Sequence, residues 1–253
     1  TSSPNWIFSS ADYQYAIGGQ FYLNVIDFET GAIVGSSQGI PIQNGAVSPA
    51  NNRMVTTDPL RFEGLDYYEF DNPTNLNYLM RTATGSPIEA DAAYSATITP
   101  DLSKALVSNP LSGSLSVINL EAEALEAIVP FSSAETNFSA VSPDGRYAYA
   151  PKRLEDQVDV VDLETFEVIK TVNSGGDRPD QIYALPDGER AYVINDGGVD
   201  KIGVIRQAGP DTELEDNFSS GNTGISWINY GLRSDFAITD DGAYGVLATP
   251  FDD

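Results

Sequence analysis

The chain has 253 residues, 41% of them hydrophobic, with 37 acidic against 13 basic side chains and a formal net charge of −24. It contains neither cysteine nor histidine, which excludes disulfides, His- or Cys-based nucleophilic chemistry, His-ligated haem and ordinary zinc or copper centres. The negative field repels phosphate backbones and argues against nucleic-acid binding, and no apolar run reaches the roughly 18 residues of a membrane span.

The first residues, TSSPNWIF, show neither the basic nor the apolar region of a targeting peptide. From there one phrase recurs along the chain. It reads AVSPANNRMVTT (46–57), TITPDLSKALVS (97–108), AVSPDGRYAYAP (140–151), YALPDGERAYVI (183–194) and AITDDGAYGVLA (237–248), with a weaker copy, IFSSADYQYAIG, at 7–18. A second phrase follows each of the first five: FYLNVIDFETGAIVG (21–35), GLDYYEFDNPTNLNYLM (64–80), SLSVINLEAEALEAIV (114–129), QVDVVDLETFEVIKTV (157–172) and KIGVIRQAGPDTELE (201–215). The period of about 43 residues lies in the range of propeller blades rather than of shorter solenoid units.

Each unit reads as four short strands. Strand one ends at Ser-Pro, and Asp-Gly closes a hairpin with Gly145 or Gly188 in the left-handed conformation. RYAYAP and RAYVIN are second strands. QVDVVD is a third strand with the alternation of a half-buried sheet, and EVIKTV is a fourth. Asp-Leu-Glu-Thr and Asp-Phe-Glu-Thr-Gly are turns in which the Asp side chain bonds backbone two residues on. LEAEALEAIV (120–129) has helical propensity, but its place in the repeat predicts a turn and then a strand. A β-sandwich also has many short strands but lacks such internal repetition. The chain is therefore expected to be all-β, a β-propeller of four-stranded antiparallel blades. It forms a single domain over 1–253 with repeats at about 7–38, 43–82, 94–130, 137–172, 180–219 and, in part, 233–253. That is about five and a half blades. An incomplete ring leaves bare sheet edges, so the expectation is a six- or seven-bladed ring that continues beyond 253, the alternative being a ring that closes with six blades of which one is short.

The repeats resemble the YVTN-type β-propeller repeat of the surface-layer and lactonase-like seven-bladed superfamily. The likeness is carried best by RPDQIYALPDGERAYVIND (178–196) and NFSAVSPDGRYAYAPKRLEDQVDVVDLETFEVIKTV (137–172). The second repeat departs most, lacking the turn glycine and replacing Val-Ile-Asp by YYEFDNPTN. The resemblance implies the fold strongly and function weakly. It implies extracellular, cell-surface or periplasmic placement and a non-catalytic binding or scaffold role toward a protein partner or surface polymer. The alternative is a propeller enzyme, a hydrolase, lyase or lactonase-like protein, using Asp or Glu with Arg at the channel mouth. A histidine-assisted lactonase or a haem-bearing chain does not fit this composition.

Candidate site residues gather in the loops between second and third strands and between blades, which share one face of a propeller. They are Arg61, Glu63, Lys152, Arg153, Glu155, Asp156, Asp177, Arg178 and Asp196. Two readings stand beside each other: a polar ligand mouth in which arginines fork onto an anion, and wet loops in which arginines bridge neighbouring acids. Trp227 and Tyr230, in the long stretch 216–235, form either an aromatic platform for a ligand or a cover over a blade. Asp196 and Asp200, in DGGVD, are candidate Ca²⁺ ligands beside the plainer reading of an Asp-Gly turn. No other cofactor is expected. Asn217 in NFS is the better of two glycosylation acceptors, since Asn137 is expected to begin a strand. The acidic surplus reads either as a solvated, halophilic surface or as a cation-loaded one.

Overall fold

A computed structural model describes residues 6–9, 15–19, 23–37, 44–48, 53–57, 64–72, 75–83, 93–197, 201–219, 235–238 and 245–248. Two compact units, Thr1–Ser139 and Ala140–Asp253, divide the chain.

The first unit carries three four-stranded antiparallel sheets. They are β1 Trp6–Ser9, β2 Tyr15–Gly19, β3 Leu23–Asp27 and β4 Ile33–Ser37; then β5 Asn44–Ser48, β6 Arg53–Thr57, β7 Gly64–Asn72 and β8 Asn75–Ala83; then β9 Ser95–Ile98, β10 Lys104–Asn109, β11 Ser114–Asn119 and β12 Ala124–Pro130. The second unit carries β13 Ala140–Val141, β14 Tyr147–Lys152, β15 Gln157–Asp162 and β16 Glu167–Asn173; then β17 Pro179–Ala184, β18 Arg190–Asn195, β19 Lys201–Arg206 and β20 Glu213–Ser219; then the pair β21 Asp235–Ile238 and β22 Gly245–Ala248. Every four-stranded sheet is a simple meander, each strand pairing with the next in sequence. The segment 124–130 is a strand, as its position in the repeat predicts.

The turn chemistry repeats with the sheets. In the first hairpin of the fourth sheet, Ser142 donates its hydroxyl to Asp144 at 2.5 Å, Asp144 accepts from the Arg146 amide, and Gly145 sits at φ 74°. The Ser142 hydroxyl oxygen in turn accepts the Tyr147 amide at 2.9 Å. Thr99 and Asp101 reproduce these contacts in the third sheet, where Leu102 stands in the glycine position at φ 64°. Between strands three and four, Asn119 and Asp162 each accept two backbone amides from the following turn, and Asp27 accepts the Thr30 amide and hydroxyl. The residue that reverses the chain there has positive φ in each case: Gly31, Glu123 and Phe166. A register shift follows at the same place in the third strand, at Val25/Ile26, Val117/Ile118, Val160/Val161 and Val204/Ile205.

Within each unit the core lies between neighbouring sheets. In the first, Val55, Leu65 and Tyr67 of one sheet meet Ala96, Ala105, Val107 and Ile118 of the next. In the second, Tyr149, Val158 and Val160 meet Ile182, Ala191, Val193 and Ile205. This packing corrects one reading of the sequence. β15 is buried at every position over Val158–Asp162, not half-buried, so both of its alternating sets of side chains are covered. The fourth strands β12 and β16 are the exposed ones in their sheets. Two further details differ from expectation: Asn137 precedes the short β13 rather than beginning a strand, and Asn217 lies within β20, paired with Gly203, rather than in an insertion.

Candidate functional site

The second unit brings together Lys152, Arg153, Glu155, Asp156, Asp177, Arg178 and Asp196. Arg61, Glu63, Asp200, Trp227 and Tyr230 lie outside the described residues.

The site begins where β14 ends. Lys152 pairs with Gln157 across the loop, and Asp156 turns the chain at φ 56°. That left-handed conformation aims the Asp156 backbone carbonyl and carboxylate at the connection from β16 to β17. The carbonyl accepts the Ser174 amide at 3.0 Å and the carboxylate accepts the Arg178 amide at 2.7 Å. Arg178 itself has φ 55°. The connection is in turn laid against the end of β18. The Asp196 amide donates to the Arg178 carbonyl, the Gly197 amide donates to the Asp177 carbonyl, and Asn195 donates its side-chain amide to the Ser174 carbonyl. Close approach requires glycine here: a Cβ on Gly176 would come within 2.8 Å of Asn195, and one on Gly197 within 2.7 Å of Asp177.

Two ion-pair groups rest on this frame. Lys152 is 3% exposed and contacts Glu155 Oε2 at 2.6 Å and Asp159 Oδ1 at 3.3 Å. The same Asp159 oxygen accepts the Thr171 hydroxyl at 2.5 Å. Arg153 reaches from the fourth sheet to the fifth. One guanidinium nitrogen donates to Asp180 Oδ1 and the other to Asp196 Oδ2, each at 2.7 Å. Arg178 is more than half exposed, with its Nε 3.9 Å from Asp196 Oδ1.

Chemically, this is a charge-rich cluster in which the two inner cations are held by carboxylates. The bridging geometry is the one anticipated for arginines that link neighbouring acidic loops. Three cations (Lys152, Arg153 and Arg178) face six carboxylates (Glu155, Asp156, Asp159, Asp177, Asp180 and Asp196), so the local balance is negative. Arg153 takes Asp196 Oδ2, while Asp196 Oδ1 has no hydrogen-bond partner among the described residues. Among the described residues no group of three acidic side chains is arranged to hold a metal.

Asp159, Asp180, Thr171 and Asn195 belong to the site and escape the reading of the sequence. Asp159 carries no local signal, because in an alternating strand it reads as a solvent-facing acid. Asp180 carries none, because its partner Arg153 lies in a different repeat.

The meandering four-stranded sheets, with cores formed between them, define the fold as a β-propeller, and comparison with solved structures agrees. Hydrazine synthase of Kuenenia stuttgartiensis superposes with a TM-score of 0.79 at 15% identity, covering 96% of this chain and 73% of that one. A functionally unknown protein from Desulfotomaculum acetoxidans superposes with a TM-score of 0.74 at 18% identity, covering 90% and 69%. At such identities the likeness concerns fold alone. No family model and no curated protein sequence matches the chain.

Proposed function

We propose that this chain is a non-catalytic binding or scaffold propeller of the YVTN type, acting outside the cytoplasm. It engages a protein partner or surface polymer through the face bearing loops 152–157 and 173–178. The observation that supports this reading is the bridge from Arg153 to Asp180 and Asp196. A guanidinium shared by two carboxylates is already matched in charge and hydrogen bonding, so it stiffens a recognition surface rather than awaiting a reacting group. Stiff loops bind with little ordering cost.

The test is selection of displayed random peptides on the folded protein. The expected result is a set of peptides whose binding is lost in Arg178→Glu and Asp177→Lys but retained in Lys170→Glu on the outer strand β16. Peptides indifferent to all loop substitutions would overturn the reading. So would turnover of ester, lactone or glycoside substrates that disappears in Arg153→Lys.

A further inference from the structure

We infer that the tip of the 152–157 loop is a docking knob for a basic, apolar segment of a partner protein, an inference that rests on the binding role proposed above. Leu154 stands at this tip with 60% of its surface exposed. The equivalent residue of the preceding repeat, Leu111, is 57% exposed in its own unit.

The equivalence is structural as well as sequential. Each leucine is the second residue past the end of a second strand. Each is followed by a chain reversal at positive φ, Gly113 or Asp156. In each loop that reversing residue's carbonyl accepts an amide from the connection to the next sheet, Phe131 or Ser174. Lone exposed leucines are ordinary on protein surfaces, but two at one position of successive repeats mark the position itself.

The occupant follows from charge. Glu155 and Asp156 follow Leu154 in sequence, Arg153 before it is already held by Asp180 and Asp196, and Asp177 lies on the connection that Asp156 holds. A second copy of this chain would bring its own charge of −24 against that rim, and like charges face to face are strongly disfavoured. A segment carrying Lys or Arg beside a large apolar side chain meets both requirements: it covers the leucine and neutralises the rim. The loop is already held by the Asp156 contacts and the Arg153 bridge, so docking need not order it.

Fluorescence anisotropy with three labelled peptides tests this: alternating Leu-Lys, alternating Ser-Lys of equal charge, and alternating Leu-Glu. Near physiological salt the Leu-Lys peptide is expected to bind tightest. Leu154→Ser should weaken it about tenfold, the scale of one buried leucine contact, and leave the Ser-Lys peptide unchanged. Ile33→Ser, at an equally exposed strand position, should change nothing. Leu154→Lys is a second variant that removes the knob and adds one positive charge to the rim, and it should weaken the Leu-Lys peptide at least as much as Leu154→Ser. Equal binding of Leu-Lys and Ser-Lys, or an equal loss in Ile33→Ser, would reduce the effect to general attraction by an acidic protein and overturn the inference. Tighter binding of Leu-Glu would overturn its charge component. Loop-dependent peptides that lack basic residues would remove this inference and leave the proposed binding role standing; absence of any loop-dependent peptide would remove both.

Discussion

Lys152 and Asp159 allow a quantitative test of the charged network. Both side chains are 3% exposed and their charged atoms are 3.3 Å apart. At an effective dielectric constant near 20 the attraction at that separation is about 5 kcal/mol, and it is opposed by a desolvation cost of several kcal/mol for each ion. The pair should therefore contribute little net stability while each member remains indispensable to the other. Lys152→Met leaves Asp159 buried with only the Thr171 hydroxyl as a described partner, and should cost about 3–5 kcal/mol. Asp159→Val leaves Lys152 in contact with the more exposed Glu155, so its cost should be smaller, about 1–3 kcal/mol. The double variant has no stranded charge among these two positions, and Glu155 can turn to water. It should lie within about 1 kcal/mol of the parent. The assay is urea unfolding followed by tryptophan fluorescence and circular dichroism, with the coupling energy taken from the four midpoints. Additive single effects, or a cost below about 1 kcal/mol for Lys152→Met, would refute the claim that burial makes the pair interdependent.

The first-hairpin turns predict substitutions of opposite sign. Leu102→Gly relieves a left-handed leucine and should stabilise by about 0.5 kcal/mol after the added freedom of the unfolded chain, whereas Gly145→Ala should destabilise by about 1 kcal/mol, both read from thermal midpoints. The same turns predict acid sensitivity. The Thr99 hydroxyl holds the Asp101 carboxyl below its ordinary value, and the Ser142 hydroxyl does the same for Asp144. A lowered folded value means that the stabilisation is present above the unfolded value, near 4, and is lost as pH falls through the folded one. Asp101→Asn/Asp144→Asn should therefore show a shallower decline in melting temperature below about pH 4 than the parent. Arg153→Lys should not restore the bridge, because an ammonium cannot donate in the fixed fork that spans Asp180 and Asp196; a crystal structure or a double-mutant cycle with Asp180→Ala would show coupling close to that of Arg153→Met.

Reading the sequence reaches far into the blades and stops at their boundaries. Gly145 and Gly188 take positive φ as Ser-Pro-Asp-Gly and Leu-Pro-Asp-Gly imply, because the contacts that close such a turn lie within six residues of chain. QVDVVD becomes β15 over its full length for the same reason: a strand's partners in a meander are its neighbours in sequence. LEAEALEAIV is decided by repetition, which overrides its own propensity.

The candidate site was legible as a set of loops but not as a set of contacts. Lys152, Arg153, Asp156, Arg178 and Asp196 could be placed together because the repeat says which loops share a face. That Arg153 reaches Asp180 and Asp196 rather than an open surface depends on the packing of β14 against β17 and on the left-handed turns at Asp156 and Arg178. Asp159 reads as a solvent-facing acid in an alternating strand. It is nonetheless buried, as is every position of β15 over Val158–Asp162, a condition that no window of local sequence contains. The amino-acid sequence by itself thus determined the blade, its turns and the acidic balance of the chain, all of which follow from short-range contacts and composition. The tertiary structure alone decided which charges are matched, which acids are buried and which leucine is left exposed, because those outcomes depend on distances between segments far apart in the chain.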